Sequence, residues 1–218
     1  MRVLLTAGPT CEPLDPVRFL GNRSTGKMGY ALAAAFAAAG AEVDLISGPS
    51  ALLAPAHPAV RLTRVETAAE MYAAAAAGAP TADVWVFAAA VSDYRPAHVA
   101  PEKIKKAGDT LTLELVKNVD IAATLGQNKR AEQFAVGFAL ETTNELAHAQ
   151  EKLRRKNFDL VVLNSLRDAG AGFGHDTNKV SVLDRAGRVV TFDLMTKADL
   201  AIELVRLVQA RRAASLTI

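Results

Sequence analysis

The chain is poor in cysteine, poor in aromatic residues and nearly balanced in charge. Its single cysteine, Cys11, excludes an internal disulfide framework and is typical of a reducing compartment. A net charge of +2 favours neither a nucleic-acid-binding coat nor an acidic tail. No apolar run resembles a bilayer span, and the first residues enter a core strand without the pattern of a signal peptide. We therefore expect a cytoplasmic protein that binds neither nucleic acid nor membrane.

Short apolar runs alternate with helical patterns along the chain. The runs are rich in Val, Ile, Leu and Phe and are apolar on both faces, which predicts parallel strands at residues 3–6, 43–47, 84–88, 134–138 and 160–164. Helices are predicted at residues 27–39, 68–77, 120–125, 144–155 and from Thr196 to about Val208, with a frayed tail from Arg211. This order indicates an α/β fold with a Rossmann-like, doubly wound, mainly parallel sheet. The length of the chain suits a single domain over residues 1–218.

Two segments depart from this alternation. Residues 180–183 and 189–192 flank a turn sequence, DRAG, which predicts a hairpin at the edge of the sheet. Residues 101–109 are basic and rich in turn formers, and residues 111–116 then alternate with a period of two. We interpret residues 95–117 as a flap and a protruding dimerisation arm, which pairs with its copy in a second subunit and so covers its edge. Alternatively, the flap lysines only keep that edge soluble.

The stretch between the first strand and the first helix is the most informative one. Residues 21–29 (GNRSTGKMG) combine glycines and hydroxyls that let a backbone approach an anion, Ser24 is expected to cap the helix, and Lys27 adds a cation. The letters satisfy G-x-x-x-x-G-K, but Met28 replaces the hydroxyl residue that holds Mg²⁺ in a P-loop. We predict a phosphate-binding loop distinct from Walker A, with any metal held mainly by phosphates or by carboxylates elsewhere. A glycine-rich helix start without a ligand is the alternative.

Polar residues are predicted at the carboxyl ends of the strands, where open α/β sheets bind ligands. They occupy positions 6–10, 47–49, 92–94, 141–142 and 164–165. The G-x-G-x-x-G spacing of a dinucleotide-binding turn is absent, and the second strand does not end in an acidic residue, so NAD binding is disfavoured. A short-chain dehydrogenase would have a Tyr-x-x-x-Lys pair, which none of Tyr30, Tyr72 and Tyr94 provides. The basic cluster at residues 152–156 has two interpretations, a phosphate contact or a solvated helix end. Residues 170–174 predict a flexible loop.

Six motifs follow one another along the chain: TAGPT (6–10), DPVR (15–18), NRSTGKMG (22–29), AAVSDY (89–94), PEKIKK (101–106) and the pair Gly137-Phe138. In this order they resemble phosphopantothenate-cysteine ligase (phosphopantothenoylcysteine synthetase), which in most bacteria is the C-terminal half of a bifunctional flavoprotein of coenzyme A biosynthesis. Thr25 stands where that family usually repeats Ser, and Val119 where it often has Pro. The first change keeps a hydroxyl. The second leaves the choice between CTP and ATP less constrained.

The resemblance implies a two-step reaction. The carboxylate of 4'-phosphopantothenate attacks the α-phosphate of CTP, giving an acyl cytidylate and pyrophosphate, and the amine of cysteine then displaces CMP. It further implies Mg²⁺ with CTP as co-substrate, a homodimer, and a flavin-dependent decarboxylase domain fused to the ligase or working with it. Such chemistry needs positioning and charge stabilisation more than a protein nucleophile. The sequence agrees, since it offers lysines and a phosphate-binding loop but no evident Ser-His-Asp or Cys-His set.

The resemblance also implies roles for single residues. Asn22 and Lys103 are implied as catalytic: the Asn22 amide donates to the acyl oxygen, and Lys103 on the flap approaches the triphosphate. The implied nucleotide-binding residues are Lys103 together with Ser24, Thr25, Gly26, Lys27, Met28, Gly29, Ala89, Asp93, Val119, Asp120, Ile121, Ala122, Phe138, Lys152 and Lys156. No metal ligand is implied. Structural alternatives are a core position for Phe138, a strand-end cap for Asp93 and a turn for Asn22. An NADP- or nucleotide-binding Rossmann-like module without ligase chemistry is the alternative function.

Overall fold

The computed structural model describes residues 1–106, 108–141, 145–165 and 174–216. The strands in these ranges are β1 (Arg2–Ala7), β2 (Cys11–Asp15), β3 (Arg18–Gly21), β4 (Glu42–Ser47), β5 (Val60–Arg64), β6 (Val84–Phe87), β7 (Tyr94–Pro96), β8 (Leu115–Lys117), β9 (Phe134–Glu141), β10 (Leu160–Ser165), β11 (Thr177–Asp184) and β12 (Val189–Thr196). The helices are α1 (Lys27–Ala38), α2 (Ala68–Gly78), α3 (Ile121–Gln127), α4 (Glu145–Arg155) and α5 (Lys197–Ser215), and a 3₁₀ turn (Ala79–Thr81) follows α2.

Eight of these strands form the central sheet, in the order β12-β11-β10-β9-β6-β1-β4-β5. Every pairing from β5 to β10 is parallel, and β11 and β12 are added antiparallel as an edge hairpin. The chain builds β4 and β5 on one side of β1, then returns to build β6, β9 and β10 on the other. The predicted doubly wound, mainly parallel sheet with an edge hairpin is confirmed, and the direction of winding reverses between β1 and β6.

Helices cover both faces of the sheet because its central strands are apolar on both faces. Successive side chains of a strand point to opposite faces. Leu5 therefore belongs to the core that contains Phe36 of α1, while Leu4 belongs to the core that contains Met71 of α2 and Leu153 of α4. Among the described residues, no helix is both long and apolar enough to cross a bilayer.

The C-terminal helix is longer than the sequence predicts. Thr196 is its N-cap, as expected, and the Thr196 Oγ1 accepts a hydrogen bond from the Asp199 N–H at 3.1 Å. The predicted fraying from Arg211 is wrong, because α5 continues to Ser215. Near the helix end, the Arg212 Nη2 donates to the Asp83 Oδ1 at 3.1 Å, which ties the last turns to the segment just before β6. A contact between residues so distant in sequence leaves no local signal.

The edge strand β5 and the β2–β3 hairpin inside the β1–α1 connection are not predicted from the sequence. In place of the arm strand predicted at residues 111–116, the structure has the three-residue strand β8 (Leu115–Lys117), which pairs antiparallel with β7. Leu111 and Leu113 alternate as a strand would, but both side chains are exposed and have no second layer to pack against. Within residues 95–117, we call residues 97–114 the flap. The predicted loop at residues 170–173, the helix start at Asn144 and the polar residue Thr142 lie outside the described residues.

Candidate active site

A cavity of about 340 Å³ opens at the carboxyl edge of the parallel strands. Its lining includes Thr6 of β1, Phe87 of β6, Phe138 of β9 and Asn164 of β10. Open α/β sheets bind ligands at this edge, in the crevice that forms where the direction of winding reverses. The volume lies within the roughly 300–1,000 Å³ of small-molecule sites. This cavity is therefore the candidate active site.

The loop before α1 forms one wall of the cavity. Gly26 has a φ of 82°, in the left-handed region that favours glycine, and α1 begins at the next residue. Gly29 allows α1 to lie close to β1, since a Cβ on Gly29 would stand 2.5 Å from the Ala7 Cβ. The N–H groups of the first helical turn have no partner within the helix, and they carry the positive end of its dipole. The predicted loop is thus built to receive an anion.

Ser24 does not cap α1, so that prediction is wrong. Its Oγ accepts a hydrogen bond from the Gly26 N–H at 3.3 Å, within the turn that precedes the helix. The N-cap position is occupied by Gly26, which contributes no side-chain hydrogen bond. The left-handed turn at Gly26 delays the helix beyond the reach of Ser24. As a result, no N-cap side chain competes with a ligand for the first-turn N–H groups.

Lys27 meets an acidic residue from the far end of the chain. Its Nζ lies 2.6 Å from the Oδ1 of Asp176, which belongs to the segment just before β11. The hydrogen bond and the positive charge of Lys27 hold the pKa of Asp176 below its usual value. The Asp176 side chain is 86% exposed, so the pair is screened by water and contributes little to stability. An incoming anion can therefore replace Asp176 as the partner of Lys27.

A second basic group lines the cavity at the end of α4. The Lys156 Nζ lies 2.7 Å from the Oδ1 of Asp120, and the same oxygen caps α3 by accepting from the Ala123 N–H at 3.1 Å. Burial raises the pKa of Asp120, but these hydrogen bonds outweigh burial and leave the pKa below its usual value. Lys152, one helical turn before Lys156, also lines the cavity. Of the two sequence interpretations of this cluster, the lining position favours an anion contact.

The structure brings most of the predicted site residues together. The residues from the loop, the strand ends and the two helices that line the cavity are Ser24, Thr25, Gly26, Lys27, Met28, Gly29, Ala89, Asp93, Val119, Asp120, Ile121, Ala122, Phe138, Lys152 and Lys156. The two predicted catalytic residues, Asn22 and Lys103, are not part of that lining. Lys103 is exposed on the flap. That the lining residues bind a nucleotide remains a prediction.

Asn22 lies just outside the cavity and is held by the main chain. Its Nδ2 donates to the carbonyl oxygens of Ala90 and Val91, at 3.0 and 3.2 Å, in the connection after β6. Ala90 and Val91 themselves line the cavity. An amide nitrogen has two hydrogens. The Asn22 amide must release one of these carbonyls before it can donate to a reacting oxygen.

Lys197 is the main lining residue that sequence analysis misses. It is the first residue of α5, it is buried, and its Nζ donates to the His175 carbonyl oxygen at 2.6 Å. Burial lowers the pKa of Lys197, the charge of Lys27 lowers it further, and the charge of Asp176 acts in the opposite direction. The N-cap at Thr196 predicts a helix start here, but nothing local predicts that this start reaches the cavity. Thr6 and Asn164 stand among the predicted polar strand ends, without an assigned role.

The chain is similar to proteins of one family over nearly its whole length. The family model of the DNA/pantothenate metabolism flavoprotein C-terminal domain matches residues 1–211. The crystal structure of the C-terminal domain of the coenzyme A biosynthesis bifunctional protein CoaBC is 41% identical and superposes with a TM-score of 0.81. That match covers 98% of this chain and 95% of the solved chain.

Two curated relatives extend the comparison to longer proteins. The coenzyme A biosynthesis bifunctional protein CoaBC of Bacillus subtilis (strain 168) is 44% identical over 208 residues, 95% of this chain and 51% of that protein. A protein named cysteine/cysteine sulfinic acid decarboxylase, from an unknown prokaryotic organism, is 46% identical over 205 residues, 94% of this chain and 57% of that protein. The chain thus spans about half the length of the curated relatives it matches.

Asp176→Asn should strengthen anion binding in the cavity. The change removes the carboxylate that competes for Lys27 while keeping the size of the side chain. We expect inorganic pyrophosphate to bind about two- to fivefold more tightly, since an exposed ion pair is weak. Isothermal titration calorimetry measures this, with Asp193→Asn, an exposed aspartate on β12, as a control for the loss of one negative charge. Equal affinities of the Asp176→Asn variant and the unaltered protein would show that Asp176 does not compete with the anion.

Proposed function

The chain belongs to the DNA/pantothenate metabolism flavoprotein C-terminal domain family, and from this membership we propose that it is a phosphopantothenate-cysteine ligase. It joins 4'-phosphopantothenate to L-cysteine in coenzyme A biosynthesis, with CTP as the activating nucleotide. The observation that carries the proposal is the composition of the cavity. It combines the uncapped N-terminus of α1, with its own Lys27, with lysines from the end of α4 and the start of α5, which suits a triphosphate better than a neutral ligand.

The reaction proceeds in two displacements. A carboxylate oxygen of 4'-phosphopantothenate attacks the α-phosphorus, the bond from the α-phosphorus to the oxygen shared with the β-phosphorus breaks, and pyrophosphate leaves. The cysteine nitrogen then attacks the acyl carbon. CMP leaves with the oxygen that joined the acyl carbon to the α-phosphorus, and the nitrogen loses a proton. Neither step needs a nucleophile from the protein. The one thiol is unsuited to such a role, because Cys11 is buried and its pKa is raised by burial and by the charges of Glu66 and Glu12.

The phosphate groups fit the loop between Ser24 and Gly29. The uncapped N–H groups of α1 bind phosphate oxygens, and Lys27 exchanges Asp176 for a phosphate. Lys103 approaches the triphosphate from the flap and stabilises the charge that develops as pyrophosphate leaves. Asp93, the residues from Val119 to Ala122, Phe138, Lys152 and Lys156 then hold the remainder of the nucleotide. A flavin-dependent decarboxylase, fused to this domain or separate, is the expected partner.

Magnesium reaches this site with the nucleotide. Among the described residues, no group of three or more His, Cys, Asp or Glu side chains is placed to hold a metal ion. Mg²⁺ commonly keeps several waters and binds through substrate phosphates and one or two carboxylates, and Asp93 provides a carboxylate in the cavity lining. Bound there, Mg²⁺ would neutralise part of the charge of the triphosphate.

The proposed ligase activity is tested by pyrophosphate release. We expect the protein with CTP and Mg²⁺ to release pyrophosphate only when phosphopantothenate is present, and to form the amide when cysteine is added. Lys103→Ala should slow pyrophosphate release by about 10²-fold, because it removes a cation opposite a concentrated negative charge. Nucleotide binding without release would instead identify a binding module. Release of CO₂ from cysteine would assign this domain the activity in the name of the decarboxylase relative.

Asn22→Asp separates two roles of the Asn22 amide. As a donor to the acyl oxygen, Asn22 matters in the second step, and the variant should form phosphopantothenoyl-CMP while making amide roughly 10²- to 10³-fold more slowly. As a support for the Ala90 and Val91 carbonyls, Asn22 matters in both steps, since an aspartate would place a carboxylate against two carbonyl oxygens. Mass spectrometry of quenched reactions decides between them. Normal turnover without accumulation of phosphopantothenoyl-CMP would show that Asn22 has neither role and only shapes the turn.

The exposed apolar surface of the β2–β3 hairpin and the flap predicts a dimer. Apolar side chains from β3, the hairpin turn and the flap remain exposed, including Phe19 at 61%, Val17 at 59% and Leu111 at 58%. A second copy related by a two-fold axis would cover such a surface on both subunits. We expect sedimentation equilibrium at micromolar concentration to give the mass of two chains, and Leu111→Glu to shift it toward one. A fully active monomer at this concentration would contradict the predicted dimer.

A further inference from the structure

The β2–β3 hairpin is tied to the flap next to Lys103, although the two are more than eighty residues apart in sequence. The Asp15 Oδ2 accepts a hydrogen bond from the Ile104 N–H at 3.1 Å, and the Arg18 Nη2 donates to the Ile104 carbonyl oxygen at 2.8 Å. Both polar groups of the Ile104 backbone are thereby held. Because Lys103 is the preceding residue, whatever holds Ile104 also fixes where the Lys103 side chain begins.

We propose that Asp15 and Arg18 are positioning residues that anchor the flap, so that the backbone beside Lys103 is fixed and Lys103 can approach the triphosphate. This inference rests on the proposed function for the role of Lys103. The anchor itself rests only on the contacts between the hairpin and the flap.

Asp15 is built to hold a fixed position. Its side chain is fully buried, and its Oδ1 accepts from the N–H groups of Val17 and Arg18, both at 2.9 Å. Its Oδ2 accepts from the Arg18 Nε at 3.0 Å and the Arg18 Nη2 at 2.5 Å, in addition to Ile104. The hydrogen bonds from Arg18 lower the pKa of Asp15, burial opposes them, and the main-chain donors Val17 and Ile104 keep the pKa well below its usual value. The carboxylate therefore stays charged and oriented at neutral pH.

The flap segment around Lys103 depends on contacts of this kind because it has no regular structure of its own. Residues 101–106 form neither helix nor strand, and most of them are exposed. A second tether lies just upstream, where the Ala100 N–H donates to the Leu14 carbonyl oxygen at 3.0 Å. The hairpin thus holds the segment before and after Lys103. A charged side chain on a freely moving segment would lose much of its effect, since misplacement by about 1 Å can cost roughly 10²-fold in rate.

The test combines two variants of the anchor with a matched control. Asp15→Asn keeps the shape but weakens the acceptor, and Arg18→Lys keeps the charge but loses the planar fork that reaches Asp15 and Ile104 together. Arg18 is 43% exposed, so its variant should fold even if the Asp15 variant does not. The control is Asp184→Asn at the β11–β12 turn. There a carboxylate accepts from the Ala186 and Arg188 N–H groups and pairs with Arg188, without contacting the flap.

Hydrogen exchange measures the anchor without any activity. The Ile104 amide should exchange about tenfold faster or more in both anchor variants and at the normal rate in Asp184→Asn, because only the anchor variants weaken the acceptor of the Ile104 N–H or lose the arginine that orients this acceptor. Unchanged exchange in both anchor variants would overturn the proposal. If the unaltered protein released no pyrophosphate, that result would refute only the proposed function. Hydrogen exchange would still decide whether the anchor exists.

A double-mutant cycle tests the route through Lys103. Asp15→Asn and Arg18→Lys should each lower kcat for pyrophosphate release by roughly 10- to 100-fold and change KM for phosphopantothenate little. In a Lys103→Ala background, neither should lower kcat further, because the group that they position is gone. Losses that multiply in the double variants would show that the anchor acts through another part of the site and would overturn the proposal.

Discussion

The close approach of three backbone segments at the carboxyl end of β1 constrains the rest of the site. A Cβ on Gly48 would lie 1.6 Å from the Pro9 carbonyl oxygen, and one on Gly26 would lie 3.3 Å from the Gly8 Cα. Main-chain hydrogen bonds also hold the end of β1, from the Gly48 N–H to the Ala7 oxygen at 3.0 Å and from the Ala90 N–H, in the connection after β6, to the Gly8 oxygen at 2.9 Å. Only glycine permits such packing without displacing a neighbour. The N-terminus of α1 is therefore placed by backbone contacts, which side-chain motion disturbs little.

The charges around the cavity are balanced internally while no anion is bound. Lys27 is paired with Asp176 and Lys156 with Asp120, and each aspartate is at least one-third exposed. The exposed Lys27–Asp176 pair holds its lysine weakly, whereas the Lys156 side chain is only 13% exposed. Lys197 differs because burial opposes its charge, so an anion in the cavity would stabilise its ammonium form. Phosphate oxygens can therefore replace the carboxylates as lysine partners, because each released aspartate is exposed enough to be solvated by water.

Sequence patterns predict the parts of this fold that are local. The core strands follow from apolar runs, the β11–β12 turn from Gly187, and the loop before α1 from glycines beside a lysine. The functional roles of single residues came instead from six motifs shared with a family. What sequence could not predict arises from contacts distant along the chain: Lys197 reaches the cavity from the start of α5, Asp176 meets Lys27, and the last turns of α5 bind Asp83. Ser24 is a different case: a serine before a helix commonly caps it, but the left-handed turn at Gly26 makes Gly26 the N-cap instead.

The cavity walls and the exposed flap have different sources of order. The cavity walls belong to the sheet and its helices, whereas residues 101–106 of the flap form no helix or strand that could hold Lys103 by packing. A buried carboxylate is a costly way to stabilise a hairpin, and well-packed apolar residues often serve as well. Apolar residues, however, cannot accept a hydrogen bond from the Ile104 N–H. They also cannot orient Arg18 toward the Ile104 carbonyl oxygen. The hydrogen bonds of Asp15 and Arg18 therefore fix geometry, because they extend the order of the β2–β3 hairpin to Ile104, the flap residue that follows Lys103.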